Sequence, residues 1–177
     1  MAKQLLKEKI ENIAKSLNIT KKDVQNIIDE YLWYRQRELL EGKIVQIVGI
    51  VDIVPEPLST TTTSTLAFVS RELAKKLVLP YNTVLFVLKY YLDVQYEQIT
   101  MGNTVIFRGL VKINPIVVDD RISSIHSSIS SRMTELARTN HKTESIRVHT
   151  SKALKSNLYG VKVKASKPSS LEELYAE

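Results

Sequence analysis

The chain predicts an α+β fold: two tandem helix-helix-strand-strand units packed as a pseudo-dimer, followed by an extended helical and basic C-terminal segment. Three observations predict it. First, residues 14–55 align without a gap on residues 74–115 at a constant offset of 60, and 12 of the 42 positions are identical. The identities are Ala14/Ala74, Lys15/Lys75, Leu17/Leu77, Val24/Val84, Tyr31/Tyr91, Leu32/Leu92, Gly42/Gly102, Val45/Val105, Gly49/Gly109, Val51/Val111, Ile53/Ile113 and Pro55/Pro115. Second, four of the five glycines fall in these pairs, and glycine marks backbone positions that tolerate little substitution. Third, in each copy a helical apolar period gives way, at the first shared glycine, to a run rich in β-branched residues. Two copies do not make a solenoid, so each is expected to cover the other's apolar face.

The first unit is expected over residues 1–57. Leu5, Leu6, Ile10, Ile13 and Leu17 space out as one face of an amphipathic helix that Asn18 breaks. Thr20 then caps a second helix with Asp23 three residues on, a capping box whose acid is one carbon shorter than the usual Glu. Its stripe is Val24, Ile27, Ile28, Tyr31, Leu32 and Leu39, and Gly42 ends it where a left-handed residue is needed. The run KIVQIVGIVDIVP reads as two short strands around a turn or bulge at Gly49, stopped by Pro55 and Pro57.

Residues 58–69 read as a threonine-rich linker, fitting an exposed loop or a short extended edge. The second unit, residues 70–118, opens at Ser70 with a shorter helix (SRELAKKL). Pro80 stands in the place of Thr20 and suits a first turn, where a missing N–H costs nothing. The long helix from about residue 82 to 100 is apolar on most sides and so expects partners on most sides. Its strands lie in NTVIFRGLVKINPIVV. Over residues 119–140, Asp119 or Asp120 can cap an amphipathic helix in which Ile122, Ile125, Ile129, Met133 and Leu136 form a narrow stripe. Such a stripe resembles a coiled-coil seam that packs on a partner chain. In residues 141–177, SIRVH and VKVKAS read as strands, SKALKSNLYG as a short helix closed by Gly160, and SSLEELYAE as a short acidic helix.

With 177 residues and 44% apolar content the chain can bury a real core in one domain, or in two small ones with a tail. The absence of cysteine leaves no disulfide framework, thiol nucleophile or thiolate zinc site. The opening MAKQLLKEKIENIAKSL lacks the unbroken apolar core of a signal peptide, and no stretch approaches a membrane span, so a soluble, intracellularly made protein is expected. The net charge of +6 is concentrated in residues 138–167, where Arg138, Lys142, Arg147, Lys152, Lys155, Lys162, Lys164 and Lys167 face the single acid Glu144, giving 8 − 1 = +7. Such a segment suits duplex DNA or an acidic protein surface, or is a solvated basic tail.

Thr20-Lys21-Lys22-Asp23, Gly42 and Val45-Gln46-Ile47-Val48-Gly49 resemble, in type and nearly in spacing, the N-terminal half of the HU/IHF family of bacterial DNA-architectural proteins. The likeness covers about 45 residues. It implies long helices that make a shared core and sheets that form a saddle, with one chain supplying both halves. It also implies a basic β-arm with a proline tip for DNA, and here the chain departs from the family. Val54-Pro55-Glu56-Pro57-Leu58-Ser59 follows the first copy and Asn114-Pro115-Ile116-Val117-Val118 the second, with no arginine-rich arm, so the minor-groove wedge has no agent.

No catalytic constellation emerges. His126 lies among serines without a nucleophile elbow, and His141 and His149 lack ligands at metal spacing. No cofactor is implied. Tyr31/Tyr91 and Leu32/Leu92 are expected to pack across the pseudo-dyad, with Trp33, Tyr34 and Tyr96 at its rim. Two functional readings follow. One is a non-enzymatic assembly protein, a homo-oligomer or a partner of other structural proteins. Tailed phages of the crAss-like group carry proteins that resemble IHF subunits in their structural gene blocks, which implies a virion head-to-tail ring or connector, made in the host cytoplasm. The other is a nucleoid or virion DNA-binding protein that contacts duplex DNA through residues 138–167. Neither involves a membrane.

Overall fold

The computed structural model describes residues 2–116, 145–151 and 160–165. They form a mixed α+β structure of four helices and two small sheets: α1 (Ala2–Ser16), α2 (Lys21–Leu40), β1 (Lys43–Ile47), β2 (Val51–Glu56), β3 (Thr60–Thr63), α3 (Leu66–Leu77), α4 (Tyr81–Thr100), β4 (Val105–Phe107), β5 (Val111–Ile116), β6 (Ser145–Thr150) and β7 (Gly160–Ala165).

The caps explain where the helices start and stop. The Thr20 hydroxyl accepts from the Asp23 N–H at 3.0 Å while the Asp23 carboxylate accepts from the Thr20 N–H at 3.1 Å, so the shortened capping box closes. Those same bonds hold the Asp23 carboxyl below its ordinary pKa. Asn18, at φ 53°, breaks the chain between α1 and α2. Thr65 caps α3 by accepting from the Phe68 N–H at 3.1 Å, so this helix starts at Leu66, four residues before the expected Ser70. Pro80 is the N-cap of α4 rather than a first-turn residue, and its ring offers no acceptor to the helix N–H groups.

Each long helix passes through a left-handed glycine into its hairpin: Gly42 at φ 78° and Gly102 at φ 82°. Gly42 has a second constraint, because a Cβ there would lie 2.2 Å from the Ser59 hydroxyl. Ser59 and Thr60 donate to the Gly42 carbonyl at 2.8 and 3.4 Å. The threonine-rich stretch is thereby brought alongside the sheet, and Thr60–Thr63 is a parallel edge strand on β1, the extended alternative of the linker reading. Pro55 does not stop the sheet. It sits inside β2, two residues past the last β1 partner at Ile53, where the strand is bonded on one side only and a missing N–H is tolerated.

The hairpin registers repeat residue for residue at an offset of 60. Val45↔Ile53, Gln46↔Asp52 and Ile47↔Val51 recur as Val105↔Ile113, Ile106↔Lys112 and Phe107↔Val111. Both turns close with an N–H···O bond of 2.9 Å, Ile50 to Ile47 and Leu110 to Phe107. Gly49 and Gly109 take the third turn position at φ 73° and 80°, the place a type II turn reserves for glycine.

One contiguous core joins the copies. Val24, Ile27, Ile28, Tyr31, Leu32 and Leu39 of α2 and Val84, Val87, Leu88, Tyr91, Leu92 and Ile99 of α4 are all buried in it. Tyr31 and Tyr91 are core residues, and the Tyr91 ring meets Phe107 edge-on at 6.2 Å. Tyr96, expected at the rim, is buried because the broad apolar surface of α4 is covered on that side too.

A polar layer crosses this core. Arg35, wholly buried, donates through Nη1 to the Glu38 carboxylate at 2.8 Å and to the Ser64 carbonyl at 3.0 Å, and its guanidinium lies 5.4 Å from the Tyr31 ring centroid. The corresponding positions in the second unit hold the buried neutral pair Gln95 and Gln98, the latter accepting from the Asn103 amide at 3.0 Å. Breaking a buried ion pair leaves an uncompensated charge at a cost of about 3–5 kcal/mol. Glu38→Ala is therefore expected to destabilise by that amount in urea titration. The double change Arg35→Gln with Glu38→Gln, which copies the second unit, should recover most of the loss.

Candidate protein and polyanion interface

The basic segment does not stand apart from the repeats, because its two described stretches are edge strands of the two sheets. β6 pairs antiparallel with β5 from Val111↔Thr150 to Ile116↔Ser145, and β7 pairs antiparallel with β2 from Val51↔Ala165 to Glu56↔Gly160. The sheet orders are β3-β1-β2-β7 and β4-β5-β6. SIRVHT and GVKVKA occupy matching positions at an offset of 15, which supplies each copy with the same addition. The Val163 side chain packs on the core, while Lys162 beside it is exposed, the alternation of a half-buried strand. Beyond β6, Ser151 closes on the turn of the second hairpin, its N–H donating to the Leu110 carbonyl at 2.8 Å and its hydroxyl to the Gly109 carbonyl at 2.7 Å. Gly160 opens β7, so its role is that of a first strand residue.

Of the eight basic positions, Arg147 stands opposite Asn114, Lys162 opposite Val54 and Lys164 opposite Asp52. Arg138, Lys142, Lys152, Lys155 and Lys167 lie outside the described residues, as do the seam positions Ile122, Ile125, Ile129, Met133 and Leu136, and His126 and His141. The Lys162 ammonium lies 2.6 Å from the Glu56 carboxylate, a bond that raises the lysine's pKa. Acids thus accompany the lysines on the first sheet: Asp52 and Glu56 on β2 against Lys162 and Lys164 on β7. The second sheet has Lys112 and Asn114 on β5 where the first has Asp52 and Val54, beside Arg147 and the exposed His149 on β6. Arg108, at the tip of that hairpin, is 85% exposed and 4.0 Å from Asp29. The first sheet, with Lys43, Lys162 and Lys164 against Asp52 and Glu56, carries a net charge of +1, and the strands of the second, with Lys112 and Arg147 and no acid, carry +2.

A different surface lies along α2 and α3. Phe68, Glu72 and Lys76 follow one another at four-residue steps and so share one stripe of α3. Lys76 bonds Glu30 and lies 4.5 Å from the Trp33 ring centroid, and Arg37 lies 5.2 Å from Trp33 and 5.3 Å from Tyr34. Trp33 and Phe68 remain 49% and 48% exposed. Two cations thus lie within cation–π distance of a tryptophan ring that is still half exposed. The spacing of Trp33 and Tyr34 on the helix placed them at a rim, but nothing in the local pattern pointed to the contribution of Phe68 and Lys76 from the other unit.

The cavity between α1, α2 and α4, lined by Ile10, Ile13, Val24, Ile28 and Val87 among others, holds about 10 Å³ and is apolar, too small and too dry for a substrate. Among the described residues, no group of three or more acids or histidines could hold a metal ion, and no helix is long and apolar enough to cross a membrane. No protein-family model, curated protein or solved structure matches the chain.

The attachment of β7 through Val163 is testable. Val163→Asp should release this strand, raising hydrogen exchange along β2 at its β7-facing amides. Protection of β4 and β5 should remain unchanged.

Proposed function

We propose that this chain is a non-enzymatic assembly component, a tandem HU/IHF-like scaffold that makes protein–protein contacts in a large complex. The observation that carries the reading is the α2–α3 surface, where Trp33, with Arg37 and Lys76 against its ring, and Phe68, on the Lys76 stripe of α3, remain half exposed. Aromatic side chains fixed by arginine and ringed by charge are the usual anchors of protein interfaces. The repeated hairpin registers and the shared helical core support a pseudo-dimeric arrangement of the HU/IHF type. Both sheets gain a strand at the edge of each hairpin, where the DNA-binding family would extend an arm. Because some tailed phages carry proteins that resemble IHF subunits among their structural proteins, the reading extends to a virion ring or connector component between head and tail. Its partners are then further copies of itself or other structural proteins.

Trp33 is the sole tryptophan, which makes it a reporter of its own burial. Titrating the protein alone and with neighbouring structural proteins should blue-shift its emission as light scattering detects a larger species, and Trp33→Ala should weaken that species by about tenfold or more. A monomer at every concentration, with emission unmoved by any partner, would defeat the reading.

One observation favours duplex DNA as a second reading, namely the accumulation of Arg108, Lys112, Arg147 and His149 on the second hairpin and its added strand. Phosphate neutralisation makes affinity fall steeply with salt. In a salt-titrated gel shift, Lys112→Glu should weaken binding at every sequence and flatten the salt slope. Absence of a shift at low salt rules this reading out.

A further inference from the structure

The corner between α3 and α4 differs from its counterpart between α1 and α2 in a way that the fold does not require. In the first unit this corner is polar: Asn18 takes the left-handed position at φ 53°, Glu11 pairs with Lys21 at 2.5 Å, and Thr20 caps the next helix. Moving each position by 60 gives Val78, Arg71, Tyr81 and Pro80. Val78 adopts φ 55° and is 89% exposed. A β-branched residue is poorly suited to that backbone, whereas asparagine tolerates it. Within the chain itself, Val78 thus combines an unfavourable conformation with an apolar side chain left in water. Arg71 has replaced an acid, and its guanidinium lies 5.5 Å from the Tyr81 ring centroid. Together with Lys75 and Pro80 these side chains line an open groove of about 630 Å³. Lys75 bonds Glu72 at 2.9 Å, so the positive charge that the groove offers is that of Arg71, standing where the first unit has Glu11.

An occupant of this groove has to bring negative charge together with apolar side chains. Residues 169–177, SSLEELYAE, have that chemistry: three glutamates, no base, and Leu171, Leu174 and Tyr175 at the three- and four-residue spacing of one helical stripe. We propose that the α3–α4 corner is a docking groove for residues 169–177 of a second copy of this chain, with Arg71 meeting the glutamates and Val78 and Tyr81 meeting the leucines and Tyr175. The inference rests on the assembly reading above and specifies one of its contacts. Each copy then carries one groove and one acidic stretch, a heterologous, head-to-tail contact that builds a ring or an open chain.

Val78→Asn copies the first unit and separates fold from docking. It should raise the thermal midpoint, because the backbone strain is relieved. It should also weaken self-association of the full chain by about tenfold or more in light scattering. Arg71→Glu should weaken association similarly, and mixing it with a Glu172→Lys, Glu173→Lys chain should restore a mixed species. Two outcomes overturn the inference while leaving the assembly reading intact: both single variants associating like the parent chain, or a parent chain that assembles only with other proteins. Restoration only when all three changes lie in one chain, and not on mixing, assigns the contact to a single copy and also overturns it.

Discussion

The two helices of 20 residues bury their apolar surfaces in a single core built from both units, and most of the structure depends on that shared burial. α2 and α4 each turn a buried tyrosine-leucine pair, Tyr31-Leu32 and Tyr91-Leu92, into the common core. Burying one large aliphatic or aromatic side chain contributes about 1.5–3 kcal/mol, and a dozen such side chains on these two helices lie in the one core that both copies share. The hairpins inherit their positions from the helices, because Gly42 and Gly102 leave the chain one sharp route from helix to strand. Contacts between the units pin the arrangement further, with Gln36 close beside Gly109 and Lys76 bonded to Glu30.

Much of this was legible because the chain states it twice. A capping threonine, a left-handed glycine and a run of β-branched residues each have a local physical cause, and their recurrence at one offset fixed the helices and the hairpins before any contact was known. What was illegible concerns partners rather than elements. SIRVH and VKVKAS read as strands, yet pattern alone does not say which edge a strand will meet, and β7 pairs with residues more than a hundred positions earlier. Pro55 misled because a proline ends a strand only where a ladder N–H is needed. Ser70 misled as a helix start because Thr65 is the better cap for an apolar run that begins at Leu66. The α2–α3 surface was half visible: Trp33 and Tyr34 stood out in sequence, but their cationic frame comes from both units.

The differences between the copies are as informative as the repeat. Where backbone geometry is at stake the copies agree: the glycines, the turn closures and the hairpin register. They diverge in the polar layer, where an ion pair in one unit is a pair of amides in the other, and on the surfaces, where Trp33 faces the position of Asp93 and Asn18 that of Val78. A duplicated scaffold with conserved internal geometry is free to specialise its two outer sides separately. Charge follows the same division, with two acids among three lysines on the first sheet and bases without acids on the strands of the second.

The added strands also impose an order of events on the chain as it is made. The β5 edge waits for residues 145–150 and the β2 edge for residues 160–165, so the pairings are nested, with the earlier sheet completed last. Loop closure over such separations is slow, and an open strand edge is a template for pairing with another chain. During synthesis, therefore, the two hairpins form early while both β2 and β5 stay available to neighbouring nascent chains. Completion of both sheets thus depends on chain that is made long after the strands it covers.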